Sequence, residues 1–388
     1  MGSNTATGVW TYPWTLYDEG LDTACESLAS RGIETLAVAV HHHSARVLQP
    51  RVSDALFGGN RGGCYFDPTP DRFAETPIKP VQNEISGVED PLADIVETAR
   101  EHGLRPVAWT VCLHNSRLGG AYPDYRIEDA FGHPHDHAFC PANPAVRRYL
   151  AGVVADIAAR GVDSIELEKV RYPSVFHGHG RTFGHDERQV LTTNAEERLF
   201  SQCFCDACRQ AARANAVDFE HAQTVVKKLI EQSFTDPHSH PLALSDLVHE
   251  KPVLRDLFRF RIAVIDAVFE EIAAAAGDTD LSTYVRRVDP DWSAGVTLST
   301  IERHADRLRA LCYVSDPDEA REQLRTIQRH TDLPVDVGIS IDPTLVPNAA
   351  ALDALVTAIR AETDGQLQVY NHAMMTDEQL AWVAATGK

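Results

Sequence analysis

Short stretches in which apolar and polar residues alternate recur along the 388-residue chain, and longer stretches with helical spacing separate them. In the fourth alternating stretch Ile165 and Leu167 point to one side, while Glu166 and Glu168 point to the other. The order of strand followed by helix is repeated eight times. The predicted strands occupy 9–14, 36–40, 106–113, 163–173, 281–288, 310–314, 335–341 and 367–370.

This strict alternation of strands and helices predicts a parallel sheet, and the polarity of the strands predicts that the sheet closes on itself. In the seventh strand Val337 and Ile339 face one way, whereas Asp336 and Ser340 face the other. The alternative fold, an open doubly wound sheet, would carry apolar residues on both faces because helices cover both. We therefore expect a (β/α)8 TIM barrel with long loops after strands 2, 3 and 4.

The predicted barrel is expected to form one domain over 1–388. Its longest loop, 174–252, follows the fourth strand and contains several short helical patterns. We expect this segment to be an inserted excursion that combines helices with a zinc knuckle.

The acidic composition bears on the kind of molecule that the protein can bind. The chain has 56 Asp plus Glu against 36 Lys plus Arg, a formal charge of −20, and only six of the basic residues are lysines. This balance is typical of proteins kept soluble in concentrated salt, although an ordinary acidic cytoplasmic protein can also have it. The absence of a basic stripe argues against a nucleic-acid partner.

The chain contains no hydrophobic signal that would direct it to a membrane. No apolar run reaches the roughly 18 residues of a membrane span, and the first residues lack the basic and apolar regions of a signal peptide. We therefore expect a cytoplasmic protein that does not bind membranes. The sequence leaves open whether the chain forms a homo-oligomer.

Aromatic, imidazole and carboxylate side chains are concentrated where the predicted strands end, and active sites of TIM barrels lie at these carboxyl ends. Aromatic rings stack on sugar faces, and Arg, Asn and carboxylates bind hydroxyl groups, so we expect a carbohydrate ligand. Glu168 is predicted to be the general acid/base, and Asp342 the nucleophile or base. The residues expected to bind the sugar are Trp10, Tyr12, His43, His114, Asn115, Arg171, Arg286, Tyr370 and Asn371.

Several of these residues have a structural alternative. Trp10 can belong to the core, and Glu166, two residues deeper than Glu168, can be a structural group in a salt bridge. Arg286 points inward in the predicted barrel and is the candidate partner of Glu166. The closely spaced histidines of the second long loop are interpreted as solvated residues rather than metal ligands: His133, His135 and His137.

These residues predict a glycoside hydrolase or a related enzyme that acts on carbohydrates. Two alternative functions remain open. The first is a metal-dependent sugar isomerase or epimerase, in which a divalent ion polarises a carbonyl or hydroxyl group. The donors that this alternative requires are His41, His43, His114, Glu168 and Asp342. The second is a catalytically idle barrel that binds carbohydrate.

A group of closely spaced thiols gives the strongest local signal in the chain. Cys203, Cys205 and Cys208 have the spacing C-x-C-x2-C, which can hold one metal ion, and zinc is the usual choice for thiolate ligands. A closed structural zinc site needs a fourth ligand, and the candidates are Cys140, Cys64 or a histidine. The other cysteines are expected to be small core residues: Cys25, Cys112 and Cys312.

The segment 139–147 reads Phe-Cys-Pro-Ala-Asn-Pro-Ala-Val-Arg, and a strand-4 carboxylate and the C-x-C-x2-C motif follow it. This arrangement resembles glycoside hydrolase family 42 β-galactosidases and related clan A barrels. The resemblance implies a TIM barrel with glycosidase activity and a structural zinc near the active site. The zinc ligands that it implies are Cys140, Cys203, Cys205 and Cys208.

The fourth strand carries a second resemblance. Residues 165–173 are similar to the strand-4 stretch of uncharacterised glycosidase-like barrels, and Glu168 matches their acidic residue. Two positions differ from the clan A pattern: Leu167 stands where an Asn precedes the acid, and Asp342 stands where a Glu is the nucleophile.

Overall fold

A closed barrel of eight parallel strands forms the centre of the computed structural model, which describes residues 7–176, 194–235, 243–286 and 291–386. We number the barrel strands β1 (Thr7–Thr11), β2 (Thr35–Leu48), β3 (Arg105–Val111), β4 (Ser164–Glu168), β5 (Asp280–Val285), β6 (Arg307–Leu311), β7 (Val335–Ser340) and β8 (Leu367–Tyr370). Val9 of β1 stands opposite both Leu36 and Val369, so β1 joins β2 to β8 and closes the sheet. The predicted TIM barrel is confirmed.

Helices follow the barrel strands, as the alternation predicts, and further helices lie in the long loops. Their bounds are Pro13–Asp18, Leu21–Ser30, Pro91–Glu101, Ser116–Ala121, Pro144–Ala159, Asn194–Phe200, Asp206–Ala214, Phe219–Thr235, Leu244–Glu250, Pro252–Ala276, Leu298–His304, Pro317–Gln328, Ala349–Arg360 and Asp377–Ala385. Prolines at first helical positions start several of them, since proline has no N–H that a helix start would leave unpaired. Within the described residues, no helix has the length and apolar character needed to cross a membrane.

Two apolar layers pack on opposite sides of the barrel wall. The outer layer is largely aliphatic, and it includes Ile165, Val337 and Ile339, which are buried between the strands and the helices. The inner layer is rich in aromatic rings, among them Trp10, Tyr12, Trp14, Tyr65 and Trp109. The alternation predicted along the strands therefore separates an aliphatic outside from a polar and aromatic inside.

Several predicted strand boundaries are wrong, and two of them have a clear cause. The first strand ends at Thr11 rather than Trp14, because Pro13 begins a helix immediately after it. The sixth strand, predicted to begin at 310, begins at Arg307, and the helix before it ends at His304. Arg307 and Arg309 obscured the strand pattern, because both are long cations on the inward face of this strand.

The long loops after β2 and β3 contain strands that were not predicted. Residues Phe57–Cys64 pair antiparallel with the upper half of β2, and Arg126–Glu128 pairs with Pro134–Phe139. Phe57–Cys64 is rich in glycine, which lacks the alternating side chains by which a strand is recognised. A Cβ on Gly59 would lie 2.5 Å from the carbonyl oxygen of Ala45, so the close pairing favours glycine there.

Candidate active site and metal centre

A cavity of about 1020 Å³ opens at the carboxyl ends of the barrel strands. This is the face on which TIM-barrel enzymes place their active sites. Seven of the predicted site residues line the cavity: Trp10, Tyr12, His43, Glu168, Arg171, Arg286 and Tyr370.

Glu168 is the last residue of β4, and its half-buried carboxylate lies at the cavity wall. The indole Nε1 of Trp109 donates a hydrogen bond of 2.7 Å to Glu168 Oε2 and so fixes the side chain. Among the described residues no donor reaches the other carboxylate oxygen, which leaves that oxygen available to a ligand. Trp109 was not predicted as a site residue, although the alternation of β3 places it inward beside Val107.

Glu166 lies one strand pleat below Glu168 and is completely buried. Its Oε2 accepts hydrogen bonds from Trp10 Nε1 at 2.8 Å, Tyr284 Oη at 2.6 Å and Gln368 Nε2 at 3.2 Å. Arg309 Nη2 lies 2.7 Å from Glu166 Oε1. The structural alternative for Glu166 therefore holds, but Arg309 of β6 is its partner instead of the predicted Arg286.

Phenol and indole rings form the floor between β1, β3 and β8. The hydroxyl groups of Tyr12 and Tyr370 are 3.3 Å apart, and Tyr12 stacks on Trp14 with ring centroids 4.4 Å apart. Burial raises the pKa of both Tyr12 and Tyr370, so both phenols stay protonated at neutral pH. Trp10 is 2% exposed and uses its indole N–H on Glu166, which makes it chiefly a core residue at the base of the cavity.

Charged side chains form the opposite wall. Asp291 Oδ2 lies 3.3 Å from Arg171 Nη1 and 2.9 Å from Arg198 Nη2, and the Ser293 hydroxyl donates a hydrogen bond to Asp291 Oδ1. Arg198 and Asp291 were not predicted, because they lie on separate segments that only the folded chain brings together. Lys169, directly after Glu168, has a φ of 60° and also lines the cavity.

Four predicted site residues lie outside the cavity lining. Asp342 is exposed, and its carboxylate accepts hydrogen bonds from the backbone N–H and hydroxyl of Thr344 at 2.8 and 2.6 Å, which lower its pKa. Asn115 and Asn371 cap short helices through Leu118 N and Ala373 N. His114 is buried behind His43, with ring centroids 5.0 Å apart.

The placement of Asp342 conflicts with its predicted role. A nucleophile or base must reach the reacting sugar, whereas this side chain folds back on its own turn at the surface. Among the described residues, Asp291 is the one other carboxylate besides Glu168 in the cavity lining, and two arginines neutralise it.

The donors required for a metal-dependent isomerase do not converge. His41 points out of the barrel, where its ring nitrogens lie 2.7 Å from Val111 O and 2.9 Å from Tyr149 Oη. Within the described part of the chain, the one group of His, Cys, Asp or Glu side chains close enough to hold a metal is a cluster of cysteines. The geometry therefore gives this alternative no support.

The histidines of the second long loop lie in and beside the hairpin after β3, and among the described residues they form no group that could hold a metal, as predicted. His137 is buried and its Nε2 lies 2.7 Å from the carbonyl oxygen of Ser174. His135 and His133 both approach Asp129 Oδ2 at 3.3 Å. The interpretation as solvated residues therefore holds for His133, which is 72% exposed, but not for His137, which is buried.

The cysteine cluster brings together the four thiols that the resemblance implied. The Sγ atoms of Cys140, Cys203, Cys205 and Cys208 all lie within 4.8 Å of one another. Cys140 Sγ is 3.4 Å from Cys208 Sγ, 3.4 Å from Cys205 Sγ and 3.8 Å from Cys203 Sγ. Cys64 instead lies against Phe66 O at 3.6 Å, so Cys140 completes the set.

A buried cation accompanies these thiols. Arg261 is completely buried, and its Nη1 lies 2.9 Å from both Cys208 Sγ and Tyr172 Oη. Burial raises the pKa of Cys208, but hydrogen bonds from the neighbouring thiols and the charge of Arg261 together hold it well below its usual value. Arg261 therefore favours the thiolate form at Cys208, whereas burial raises the pKa of Cys140 and Cys203 well above its usual value.

Comparisons with solved structures show the same barrel in sugar-active enzymes. The chain is similar to a β-galactosidase from the psychrophilic Marinomonas ef1 (TM-score 0.60, 10% identity, 98% of this chain and 59% of that one). It is also similar to a β-galactosidase from Bacillus circulans sp. alkalophilus (0.55, 12%, 100% and 56%) and to α-L-fucosidase isoenzyme 2 from Paenibacillus thiaminolyticus (0.54, 12%, 100% and 49%).

These likenesses establish the fold. The chain spans about half to three fifths of the length of those proteins. At 10–12% identity, the likeness assigns a role to no individual residue of this chain. No protein family model and no curated protein matches the sequence.

Proposed function

We propose that this protein is a glycoside hydrolase-like enzyme in which Glu168 transfers the proton at the glycosidic oxygen. The observation that carries the proposal is the position of Glu168 at the end of a barrel strand, in the cavity wall. Trp109 donates a hydrogen bond to one carboxylate oxygen, and no donor among the described residues contacts the other. A positioned carboxyl group of this kind can protonate a leaving group. The activities after which the similar barrels are named, β-galactosidase and α-L-fucosidase, support the same reaction class.

The aromatic floor would bind the sugar. Trp109 and Tyr370 present rings to the cavity, and the Tyr12 and Tyr370 hydroxyls can donate hydrogen bonds to sugar hydroxyls. Stacking and hydroxyl recognition on one floor orient a pyranose ring toward Glu168. The proposal gives Asp342 no catalytic role, because its carboxylate is engaged outside the cavity.

Hydrolysis of a panel of phenyl and methyl glycosides, whose leaving groups need a proton, tests this assignment. The wild type is compared with Glu168→Gln, which keeps the shape and the Trp109 contact but cannot supply a proton. We expect turnover to fall by about 10²-fold or more, since general acid catalysis contributes about 10²–10⁴-fold. Glu302→Gln, at an exposed position on the helix Leu298–His304, is the matched control and should retain full turnover. Unchanged turnover in Glu168→Gln would overturn the assignment.

We also propose that the cysteine cluster holds a structural zinc ion. Tetrahedral zinc with Zn–S bonds of about 2.3 Å separates its sulfurs by about 3.8 Å, close to the 3.4 and 3.8 Å distances around Cys140. The ion would join the hairpin strand Pro134–Phe139 to the start of the helix Asp206–Ala214. Arg261 would offset the negative charge of four thiolates.

The charge and the thiols support one further element of the proposal, an intracellular enzyme that works in concentrated salt. All eight cysteines are unpaired, as expected in a reducing compartment. The net charge of −20 would be screened by salt.

A further inference from the structure

The cavity is cationic although the chain as a whole carries a net charge of −20. The charged residues that line it, among those described, are Glu168, Lys169, Arg171, Arg198, Arg286 and Asp291. Four cations face two carboxylates there, which leaves a local excess of two positive charges with the histidines neutral. Because this local charge is positive while the net charge of the chain is negative, the overall composition does not explain it.

Two of the four cations are already paired. Arg171 and Arg198 both approach Asp291 Oδ2, at 3.3 and 2.9 Å, and Ser293 holds the other oxygen of that carboxylate. Asp291 thus fixes one wall of the cavity. Its single negative charge is shared by two guanidinium groups, so this wall remains positive.

The other two cations, Lys169 and Arg286, have no carboxylate oxygen within 4 Å in the described ranges. The Arg286 guanidinium carbon lies 5.6 Å from the ring centroid of Tyr313, which orients it over the cavity. Burial is the main cause that lowers the pKa of Lys169; the charges of Arg171 and Arg286 act in the same direction, and those of Glu168 and Asp291 oppose them. Like charges held together in this way attract an anion, because a bound anion relieves their mutual repulsion.

We propose that Lys169 and Arg286 bind an anionic substituent of the sugar, a carboxylate, phosphate or sulfate group, so that the substrate is a charged glycoside and not a neutral one. This inference rests on the proposed function, since it takes the cavity beside Glu168 to be the sugar site. A planar guanidinium can hold two oxygens of such a group at once, and an ammonium adds a point charge.

Calorimetric titration of the whole protein with matched ligand pairs tests this inference. Each pair has a charged and a neutral member: methyl glucuronide and methyl glucoside, methyl galacturonide and methyl galactoside, and glucose 6-phosphate or glucose 6-sulfate and glucose. Inorganic phosphate alone is a further arm. At one fixed ionic strength, we expect the charged member of at least one pair to bind tenfold or more tightly than its neutral counterpart. The preferred member identifies which oxyanion the site takes.

Variants connect that preference to the two residues. Arg286→Gln should remove most of the preference, measured as the ratio of the affinities for the charged and neutral members. Lys169→Gln should do the same if Arg286→Gln fails to fold. Arg259→Gln is the matched control, because Arg259 is 72% exposed on the outer helix Pro252–Ala276. It should keep the full preference.

The other outcomes separate this inference from the proposed function. Equal binding of charged and neutral members, or an intact preference in both Arg286→Gln and Lys169→Gln, overturns the charged-substrate inference and leaves the glycoside assignment standing. Binding of inorganic phosphate with no binding of any sugar overturns both. So does the absence of binding by every member of the panel.

Discussion

Replacement of Arg309 by methionine tests how much the buried ion pair between Arg309 and Glu166 contributes to the stability of the barrel. Arg309 Nη2 lies 2.7 Å from Glu166 Oε1 and 3.7 Å from Asp336 Oδ2, and all three side chains are at most 3% exposed. Methionine keeps the length and apolar stem of the side chain but removes its charge. Glu166 would then be a buried carboxylate whose remaining partners are the neutral donors Trp10, Tyr284 and Gln368.

Loss of one partner from a buried ion pair costs about 3–5 kcal/mol in unfolding free energy. We expect Arg309→Met to lose about 3 kcal/mol, the low end of that range, because three hydrogen bonds still stabilise the Glu166 carboxylate. The double variant Glu166→Gln with Arg309→Met contains no unpaired carboxylate at this place. It should therefore be more stable than Arg309→Met alone by about 1 kcal/mol or more.

Denaturant unfolding at constant salt, followed by far-ultraviolet circular dichroism, measures both values. Arg329→Met is the control, since Arg329 is 62% exposed and pairs with exposed Glu322 at 3.2 Å. Surface pairs contribute little, so its unfolding free energy should change by less than about 1 kcal/mol. A loss below about 1 kcal/mol in Arg309→Met, or a double variant no more stable than the single one, would refute this reasoning.

Three further predictions concern the metal, pH and salt. Elemental analysis should find about one zinc per chain in the wild type and in Cys25→Ser but well below one in Cys205→Ser, and equal contents would contradict the assignment. Burial lowers the pKa of His41 to about 4 from an ordinary value of about 6.5, so its contribution to stability is complete above pH ~6.5 and is lost as pH falls toward 4. That contribution is about 3 kcal/mol of unfolding free energy. In His41→Gln the unfolding free energy should therefore fall less steeply between pH ~6.5 and 4 than in the wild type, and an unchanged slope would count against this prediction. Because the chain carries a net charge of −20, its unfolding midpoint should rise between about 0.1 and 2 M KCl, and a constant midpoint would argue against salt adaptation.

The barrel could be predicted from the sequence because its strands separate apolar from polar residues so regularly. Ile165 and Leu167 face the helices while Glu166 and Glu168 face inward, as the alternation requires. Phe57–Cys64 escaped prediction because a glycine-rich strand has no alternating side chains to reveal it. Arg309 lies just before the strand predicted at 310–314, so its pairing with Glu166 could not be foreseen.

The candidate site was predictable only in part, for a related reason. The end of each barrel strand is fixed by the fold, which brought Glu168, Arg171 and Tyr370 into one cavity. Arg198 and Asp291 belong to segments between the barrel strands. No hydrophobic periodicity there predicts where a side chain lies in the fold. Asp342 also follows a barrel strand, but its local hydrogen bonds to Thr344 direct the carboxylate away.

The leaving-group dependence of Glu168→Gln tests the central claim most directly, on phenyl and 2,4-dinitrophenyl glycosides of the sugar that the wild type hydrolyses. A phenolate leaves slowly without a proton, whereas a dinitrophenolate leaves readily without one. If Glu168 is the proton donor, kcat/KM should fall about 10²-fold or more for the phenyl glycoside and far less for the dinitrophenyl one. An equal loss for the two leaving groups would contradict proton donation by Glu168.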